Sequence, residues 1–241
     1  MTVALYHLDS YLKEFEAKVI AVDEELHAVA LDQTAFFPGG GGQPHDLGTI
    51  NADGRKLTVE GMKKAGDNIW HLLAANDKLP NLRTPVYGQL DWHRRYQTMR
   101  THTMMHILCG VIFRDFGAHV TGGDMQPLQG RMDFEFEHMS ADLVGVIEEA
   151  VNLEVQNARE LRVAILPREE AFQIPDLIRT KINLLPPQIS EIRIVEIMGL
   201  DLQADGGTHV KNTREVGRIK VDDYKSKGKI NKRIYVSLQE D

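Results

Sequence analysis

Two segments far apart in the sequence carry the same arrangement of metal-binding side chains. The first is His102-Thr-Met-Met-His106 and the second is Asp205-Gly-Gly-Thr-His209, and in each the two candidate ligands are four residues apart. On a helix this spacing places both side chains on one face, one turn apart. If both pairs bind one ion, the chain must fold so that these two segments meet.

The donor types favour zinc in a catalytic role. Three imidazoles and one carboxylate suit a tetrahedral zinc ion. A structural zinc site would more often contain thiolates. Each segment taken alone also has an ordinary alternative: the two histidines can be helix residues without a metal, and the glycine-containing segment can be a turn with a solvated acid.

The only cysteine, Cys109, lies on the same helical face as His102 and His106. It could therefore compete as a ligand. A lone cysteine among apolar neighbours is more often a small buried hydrophobe. A single cysteine excludes an internal disulfide framework and is compatible with a reducing compartment.

The composition predicts a folded, cytoplasmic protein. The chain has 241 residues and 42% apolar residues, enough for two modest domains or one large one. We expect no membrane partner, because no apolar run approaches the roughly 20 residues that span a bilayer and the N-terminus does not read as a signal peptide. The oligomeric state is left open.

The charge distribution matters more than the net charge of −7, which argues against nonspecific coating of nucleic acid. Residues 218–233 form a cationic strip that includes only two acidic residues, Asp222 and Asp223. Its basic residues are Arg218, Lys220, Lys225, Lys227, Lys229, Lys232 and Arg233. The strip is either a solvated hairpin edge protected by lysines or a phosphate-binding surface.

The hydrophobic pattern changes period near Trp92. Before it, short alternating segments predict strands at residues 18–22, 27–32, 46–50, 56–62, 68–73 and 86–91. Strands at this spacing favour a small β-barrel domain over residues 1–91.

From Trp92 onwards the sequence predicts an α+β domain, residues 92–241, with helices on one face of a mostly antiparallel sheet. A helix over residues 94–116 ends at Gly117, and Ser140 caps a second helix that extends to about Ala158. The strand over residues 131–137 should bury Met132, Phe134 and Phe136 on one face. Further strands are predicted at residues 161–166, 192–198, 216–221 and 234–238.

Four consecutive glycines, residues 39–42, follow Phe36-Phe37-Pro38 and precede Gln43-Pro44. Glycines allow a main chain to approach a ligand closely or to move as a lid. The alternative is a flexible hairpin loop.

Four segments, in this order, resemble the editing part of alanyl-tRNA synthetase. They are residues 31–43 (Leu31 to Gln43, with the glycines), 100–108, 131–136 and 205–217. As a free-standing chain of this length the sequence is similar to the AlaX family, trans-editing hydrolases of mischarged tRNA, in the medium-length form that keeps the glycine-rich N-terminal domain.

The resemblance implies one zinc ion per chain, with His102, His106 and His209 at three ligand positions. The fourth position is usually cysteine and is Asp205 here. The Asp205 carboxylate can ligate zinc in its place, the site can bind zinc more weakly than a site with cysteine, or a water can occupy the fourth position. In the family a polar side chain after the first helix reads the serine hydroxyl, and Thr121 occupies that stretch. We expect the Thr121 hydroxyl to be buried, so that alanine would leave it without a partner.

The implied activity is ATP-independent deacylation of tRNA(Ala) mischarged with serine, and also with glycine, because an alanine pocket discriminates poorly against both. Its partner would be the acceptor stem and the 3′ aminoacyl-adenosine of tRNA(Ala). The implied tRNA contacts are Gly39, Gly40, Gly41, Gly42, Gln43, Lys211, Lys225, Lys227 and Lys229. Two alternatives stand beside it: a noncatalytic tRNA-binding module with a degenerate metal site, and a metal hydrolase for a small ester.

Overall fold

The structure is a computed structural model that describes residues 1–179 and 189–239. The chain divides into two compact units, Met1–Tyr96 and Gln97–Asp241. The boundary lies within a long helix, a few residues after the change of sequence pattern at Asp91.

The first unit contains a closed antiparallel barrel of six strands in the order β2-β3-β7-β6-β5-β8. This confirms the predicted barrel. A short parallel pair, β1 with β4, and a 3₁₀ turn at Leu5–His7 complete the unit. The strands are β1 Val3–Ala4, β2 Glu14–Asp23, β3 Ala28–Leu31, β4 Gln33–Thr34, β5 Gly48–Ala52, β6 Arg55–Ala65, β7 Asn68–Leu73 and β8 Pro85–Leu90.

Alternation along the strands fills the barrel. In β2 the buried positions Phe15, Ala17 and Val19 alternate with exposed neighbours, as one-sided burial requires. They pack with other apolar side chains, among them Leu31, Phe36, Ile50, Leu57, Val59, Leu73, Val86 and Leu90.

The second unit combines helices with antiparallel strands, so the predicted α+β class is confirmed. Its strands are divided between two sheets, β14-β15-β10-β9 and β11-β12-β13. The elements are α1 Trp92–Phe116, which begins in the first unit, β9 Val120–Gln126, β10 Gln129–Glu135, α2 Ala141–Gln156, β11 Leu161–Pro167, α3 Arg168–Ala171, β12 Glu191–Ile197, β13 Asp201–Ala204, β14 Ile219–Ser226 and β15 Asn231–Leu238.

The two long helices match the predicted bounds to within two residues: α1 begins at Trp92 and not at Arg94, and α2 ends at Gln156 and not at Ala158. Helix α1 is buried on all sides from Thr101 to Ile112 and stops where Gly117 adopts a φ of 65°. That left-handed conformation is the usual glycine signal after a helix. The Ser140 hydroxyl accepts the Leu143 N–H at 3.2 Å and caps α2.

Three local predictions need correction. The strand predicted from residue 216 begins at Ile219, because Thr213–Val216 form a 3₁₀ turn. Phe136 is predicted to be buried on β10, but it lies beyond the end of this strand and is half-buried. Burial on β10 is also not limited to the face of Met132 and Phe134, because Asp133 on the opposite face is buried and pairs with Arg233.

The described part of the chain contains no helix long and apolar enough to cross a membrane.

Candidate metal centre

Four side chains from the two sequence segments meet in the second unit. His102 and His106 lie on successive turns of α1, and Asp205 and His209 lie in the loop that follows β13. One potential ligand atom of each residue lies within 4.8 Å of those of the other three. The ring centroid of His209 is 4.2 Å from that of His102 and 4.6 Å from that of His106. The four residues could hold a metal ion together.

Burial keeps two of the imidazoles neutral. The side chains of His102 and His209 are almost fully buried. Burial disfavours the charged form, and so lowers the pKa of His102 well below its ordinary value and that of His209 to about 4, although the nearby Asp205 opposes the change. Neutral imidazoles keep the lone pairs that bind a metal.

Asp205 is ionised in the same site. Burial alone would raise the pKa of its carboxyl group, but His102 and the hydrogen bond from His209 outweigh burial and hold this pKa well below its usual range. Asp205 Oδ2 lies 3.0 Å from His209 Nε2 and accepts the Gly207 N–H at 2.7 Å, and Oδ1 lies 3.6 Å from His102 Nε2. The resulting state of these three residues, a carboxylate beside the neutral imidazoles of His102 and His209, is the one that a metal ion needs.

His106 is oriented by a carboxylate that our sequence analysis did not identify. Its Nδ1 lies 3.1 Å from Oδ2 of Asp201. Burial lowers the pKa of His106, but the hydrogen bond and charge of Asp201 outweigh burial, so the pKa is raised. Asp201 itself accepts hydrogen bonds from Gln203 at 2.7 Å and Arg179 at 3.3 Å.

This pairing is typical of metal-binding histidines, whose second nitrogen commonly donates to a carboxylate. A Cβ added at Gly110 of α1 would lie 2.9 Å from Cβ of Asp201, so the helix reaches this strand only because residue 110 is glycine. The sole sequence signal for Asp201 is its position four residues before Asp205.

Two further residues fix the second segment. Thr103 Oγ1 lies 3.2 Å from His209 Nδ1 and accepts the Val210 N–H at 3.3 Å. Because Nδ1 of His209 faces Thr103, its Nε2 atom faces Asp205. The buried Arg193 of β12 donates to the carbonyl oxygens of Asp205 at 3.0 Å and Gly207 at 2.9 Å. The loop is therefore held by hydrogen bonds from outside itself.

The donor set fits a divalent metal ion with mixed nitrogen and oxygen ligands. Cys109 is not a member of the cluster within the described part of the chain. It is buried, and burial raises the pKa of its thiol well above the ordinary value. Cys109 therefore fits the alternative of a small buried hydrophobe.

Thr121 does not have the predicted environment. It lies on β9, is exposed, and its hydroxyl donates to Asn231 Oδ1 at 3.0 Å. The expected burial is wrong: among the described residues β9 has a strand neighbour, β10, on one side only, and Thr121 is exposed. A role in reading serine stays a prediction.

The proposed tRNA contacts occur in both units, and all of them except Gln43 are exposed or partly exposed. Lys225 lies on β14, where its Nζ atom is 3.1 Å from Oδ2 of Asp223 and lies over the Tyr235 ring. Lys227 and Lys229 lie in the turn between β14 and β15. Lys211 is exposed just beyond the metal-binding loop. In the first unit, Gly40 and Gly41 are exposed and Gln43 is buried.

Two family models match parts of the chain. The family model described as "Threonyl and Alanyl tRNA synthetase second additional domain" matches residues 192–235, which include Asp205 and His209. The model described as "tRNA synthetases class II (A)" matches residues 4–94.

Two relatives that match over their full length share one name. The chain is 44% identical to "Alanyl-tRNA editing protein AlaX-M" of Saccharolobus solfataricus, with 99% of this chain and 100% of the relative covered, and 37% identical to the protein of that name from Methanosarcina barkeri, with 99% of each covered. It is also 39% identical to "Alanine--tRNA ligase" of Pyrococcus furiosus over 91% of this chain and 24% of that protein. This chain belongs to the AlaX-M family of alanyl-tRNA editing proteins.

Proposed function

We propose that this protein hydrolyses the ester bond of mischarged tRNA(Ala), chiefly seryl-tRNA(Ala) with glycyl-tRNA(Ala) as a second substrate, and that it does so with one bound zinc ion. The observation that carries the proposal is the buried cluster of His102, His106, Asp205 and His209. The names of the full-length relatives support the same activity.

Serine and glycine are the expected errors of an alanine-specific synthetase. A pocket that fits alanine cannot exclude the smaller glycine by size, and an added hydroxyl on serine is rejected only weakly. A second, hydrolytic site can remove both products, provided that it spares alanyl-tRNA(Ala). The aminoacyl ester is already activated, so its hydrolysis needs no ATP.

Zinc is the metal that best matches the ligands. Three imidazoles with one carboxylate form a familiar tetrahedral set, and His102, His106, His209 and Asp205 would supply it. If zinc were bound there, it would supply a Lewis acid able to polarise the ester or the attacking water, or a positive charge able to anchor the amino group of the substrate. Asp201 and Thr103 hold two of the imidazoles in position through their Nδ1 atoms.

Recognition is assigned to residues outside the cluster. The Thr121 hydroxyl donates to Asn231, so its lone pairs are left to accept the hydroxyl of a seryl group. Backbone and ammonium groups would bind the acceptor stem and the 3′ adenosine. They belong to the partly or fully exposed Gly39, Gly40, Gly41, Gly42, Lys211, Lys225, Lys227 and Lys229, together with the buried Gln43.

A deacylation assay tests the proposal. Purified protein should release serine and glycine from tRNA(Ala) and leave alanyl-tRNA(Ala) intact, a chelator should abolish the activity, and added zinc should restore it. His209→Ala should be inactive, whereas His138→Ala, at an exposed histidine outside the cluster, should retain full activity. Tight tRNA binding without hydrolysis would instead favour the noncatalytic module, and metal-dependent hydrolysis of a small ester alone would favour the third class.

A further inference from the structure

The four glycines form a tight hairpin instead of a loose lid. Gly40 and Gln43 exchange both backbone hydrogen bonds, each 3.0 Å long. Between them Gly41 and Gly42 have φ values of 60° and 88°. Two successive residues with positive φ are what a two-residue type I′ hairpin turn requires. The glycine segment therefore has one defined conformation.

The base of the hairpin is closed by one carboxylate. The Asp46 N–H donates to the Phe37 carbonyl at 3.0 Å, and Asp46 Oδ2 accepts the Phe37 N–H at 2.6 Å. Residues 37–46 thus form a closed loop, which we call the glycine hairpin. Its geometry depends on the position of the Asp46 side chain.

Asp46 is held by a fully buried arginine. The guanidinium of Arg95 donates from Nε to both oxygens of Asp46 at 3.0 Å, and Nη2 also contacts Asp46 Oδ2. Nη1 donates to the carbonyl oxygen of Ser10 at 2.9 Å, and Nη2 also donates to that of Ala35 at 2.6 Å. All of these residues belong to the first unit.

Burying the Arg95–Asp46 ion pair costs desolvation free energy. Buried ion pairs seldom stabilise a fold more than apolar residues of the same size, and one established use of them is to enforce a single local geometry. Here the geometry that the pair enforces is that of the glycine hairpin, since the Asp46 carboxylate is shared between Arg95 and the Phe37 N–H.

The tip of the hairpin offers two backbone donors. Within the described part of the chain, the N–H groups of Gly41 and Gly42 make no hydrogen bond, and a Cβ added at Gly40 or Gly41 would meet no atom within 4 Å. Glycine is therefore required at the tip by the backbone conformation and not by packing. Rigid, solvent-exposed N–H groups are well suited to a phosphate oxygen.

We propose that Arg95 and Asp46 are positioning residues, which hold the glycine hairpin as a preformed clamp for a phosphodiester group of the tRNA. The identity of the RNA rests on the proposed function. The clamp itself rests on the hydrogen bonds of the first unit.

The first test removes both charges together, as Arg95→Met with Asp46→Leu, so that no unpaired charge is left buried. Hydrogen exchange at the amides of Gly40, Gln43 and Asp46 should accelerate at least tenfold. The affinity for uncharged tRNA(Ala) should fall about tenfold, the effect of one lost charge-assisted hydrogen bond. The control is Arg55→Gln with Asp53→Asn, an exposed pair of the same unit, which should change neither value.

A second variant avoids the core and covers the case in which the first does not fold. Gly42→Pro removes one tip donor and cannot adopt the positive φ, so it should weaken tRNA binding to the same extent. Its control is Gly54→Pro, at another exposed turn glycine with a φ of 71° and open space around its Cβ.

The outcomes separate the two proposals. In an active enzyme, KM for seryl-tRNA(Ala) should rise about tenfold in both hairpin variants while kcat stays within twofold, because phosphate contacts position without chemistry. Faster exchange with unchanged tRNA affinity would overturn the clamp and leave a purely structural ion pair, and unchanged exchange would overturn the positioning role. Absence of deacylation by the unmodified protein would instead refute the proposed function, while the tRNA titration would still decide on the clamp.

Discussion

The Nδ1 atom of His106 lies 3.1 Å from Oδ2 of Asp201, and both side chains are buried. This contact fixes the rotation of the His106 ring and leaves its Nε2 atom for the cluster. Because Asp201 is itself held by Arg179 and Gln203, the ring is supported by a chain of hydrogen bonds.

We therefore expect Asp201→Asn to weaken zinc binding by about 10- to 100-fold, the usual effect of losing such a support. The amide keeps the size of the side chain but not its charge. Competition with a chromophoric chelator measures the affinity without reference to catalysis.

The matched control is Asp133→Asn, which changes another buried aspartate of the same unit that pairs with Arg233 and lies outside the cluster. It should leave zinc affinity unchanged. An equal loss in both variants would show that Asp201 supports the fold and not the ligand.

The second prediction concerns the ligand at residue 205. Asp205→Cys should tighten zinc binding, because thiolate is the softer donor, and Asp205→Asn should weaken it. The substitutions are best made in a Cys109→Ala background, so that zinc-induced shifts in thiolate absorbance report on residue 205 alone. Weaker zinc binding by the cysteine variant than by the asparagine variant would rule out residue 205 as a ligand.

The ligand set could be predicted from the sequence because its information is local. Spacing on a helix fixes the relation of His102 to His106, and two glycines mark the tight loop between Asp205 and His209. Matching donor types in the two segments then suggest that they meet. The barrel was equally accessible, since each of its long strands alternates on its own.

The supports of the site could not be predicted in this way. Asp201 and Arg193 reach the cluster only through the positions of β13 and β12 beside α1, which no local pattern records. Strand β9 was missed because Gly122 and Gly123 have low strand propensity, and it forms by pairing with β10. The burial expected of Thr121 failed because the exposure of this residue depends on how β9 is placed against the rest of its unit, which no local sequence pattern records.

The third prediction concerns the turn between β14 and β15. Neutralising Lys225, Lys227 and Lys229 together should weaken tRNA binding and flatten its dependence on salt, while hydrolysis at saturating tRNA stays largely intact. Filter-binding titrations at several salt concentrations measure both effects.

The control for this variant removes the same charge elsewhere, at Lys56, Lys63 and Lys64, which are exposed on β6. If the two triple variants lose equal affinity, the effect is one of net charge. Unchanged affinity in the turn variant would mean that the strip only protects a sheet edge.

The fourth prediction is a pH dependence of stability in the barrel. His71 is fully buried between the Val29 carbonyl and the Thr34 hydroxyl, and burial lowers its pKa from 6.5 to about 4. Between these values the unfolded chain binds a proton that the folded chain does not, so stability falls as the pH falls. From pH 7 to pH 5 we expect this histidine to account for a loss on the order of 2 kcal/mol.

Urea unfolding at the two pH values measures this loss. His71→Gln should remove that part of the pH dependence, because the amide does not titrate, whereas His93→Gln at an exposed position should not. Equal pH dependence in the protein and in His71→Gln would contradict the assignment.

The last prediction tests specificity, and it depends on the hydroxyl of Thr121, which is exposed on β9 and bonded to Asn231. Thr121→Val keeps nearly the same shape and removes only the hydrogen-bonding group. A net hydrogen bond contributes about 0.5 to 1.5 kcal/mol, so single-turnover deacylation of seryl-tRNA(Ala) should slow by a few-fold to roughly tenfold. Glycyl-tRNA(Ala) has no hydroxyl, and its rate should scarcely change. Thr121→Ser, which keeps the hydroxyl, should retain the preference. Equal losses on both substrates would mean that Thr121 supports β9 through Asn231 and that serine is recognised by another residue.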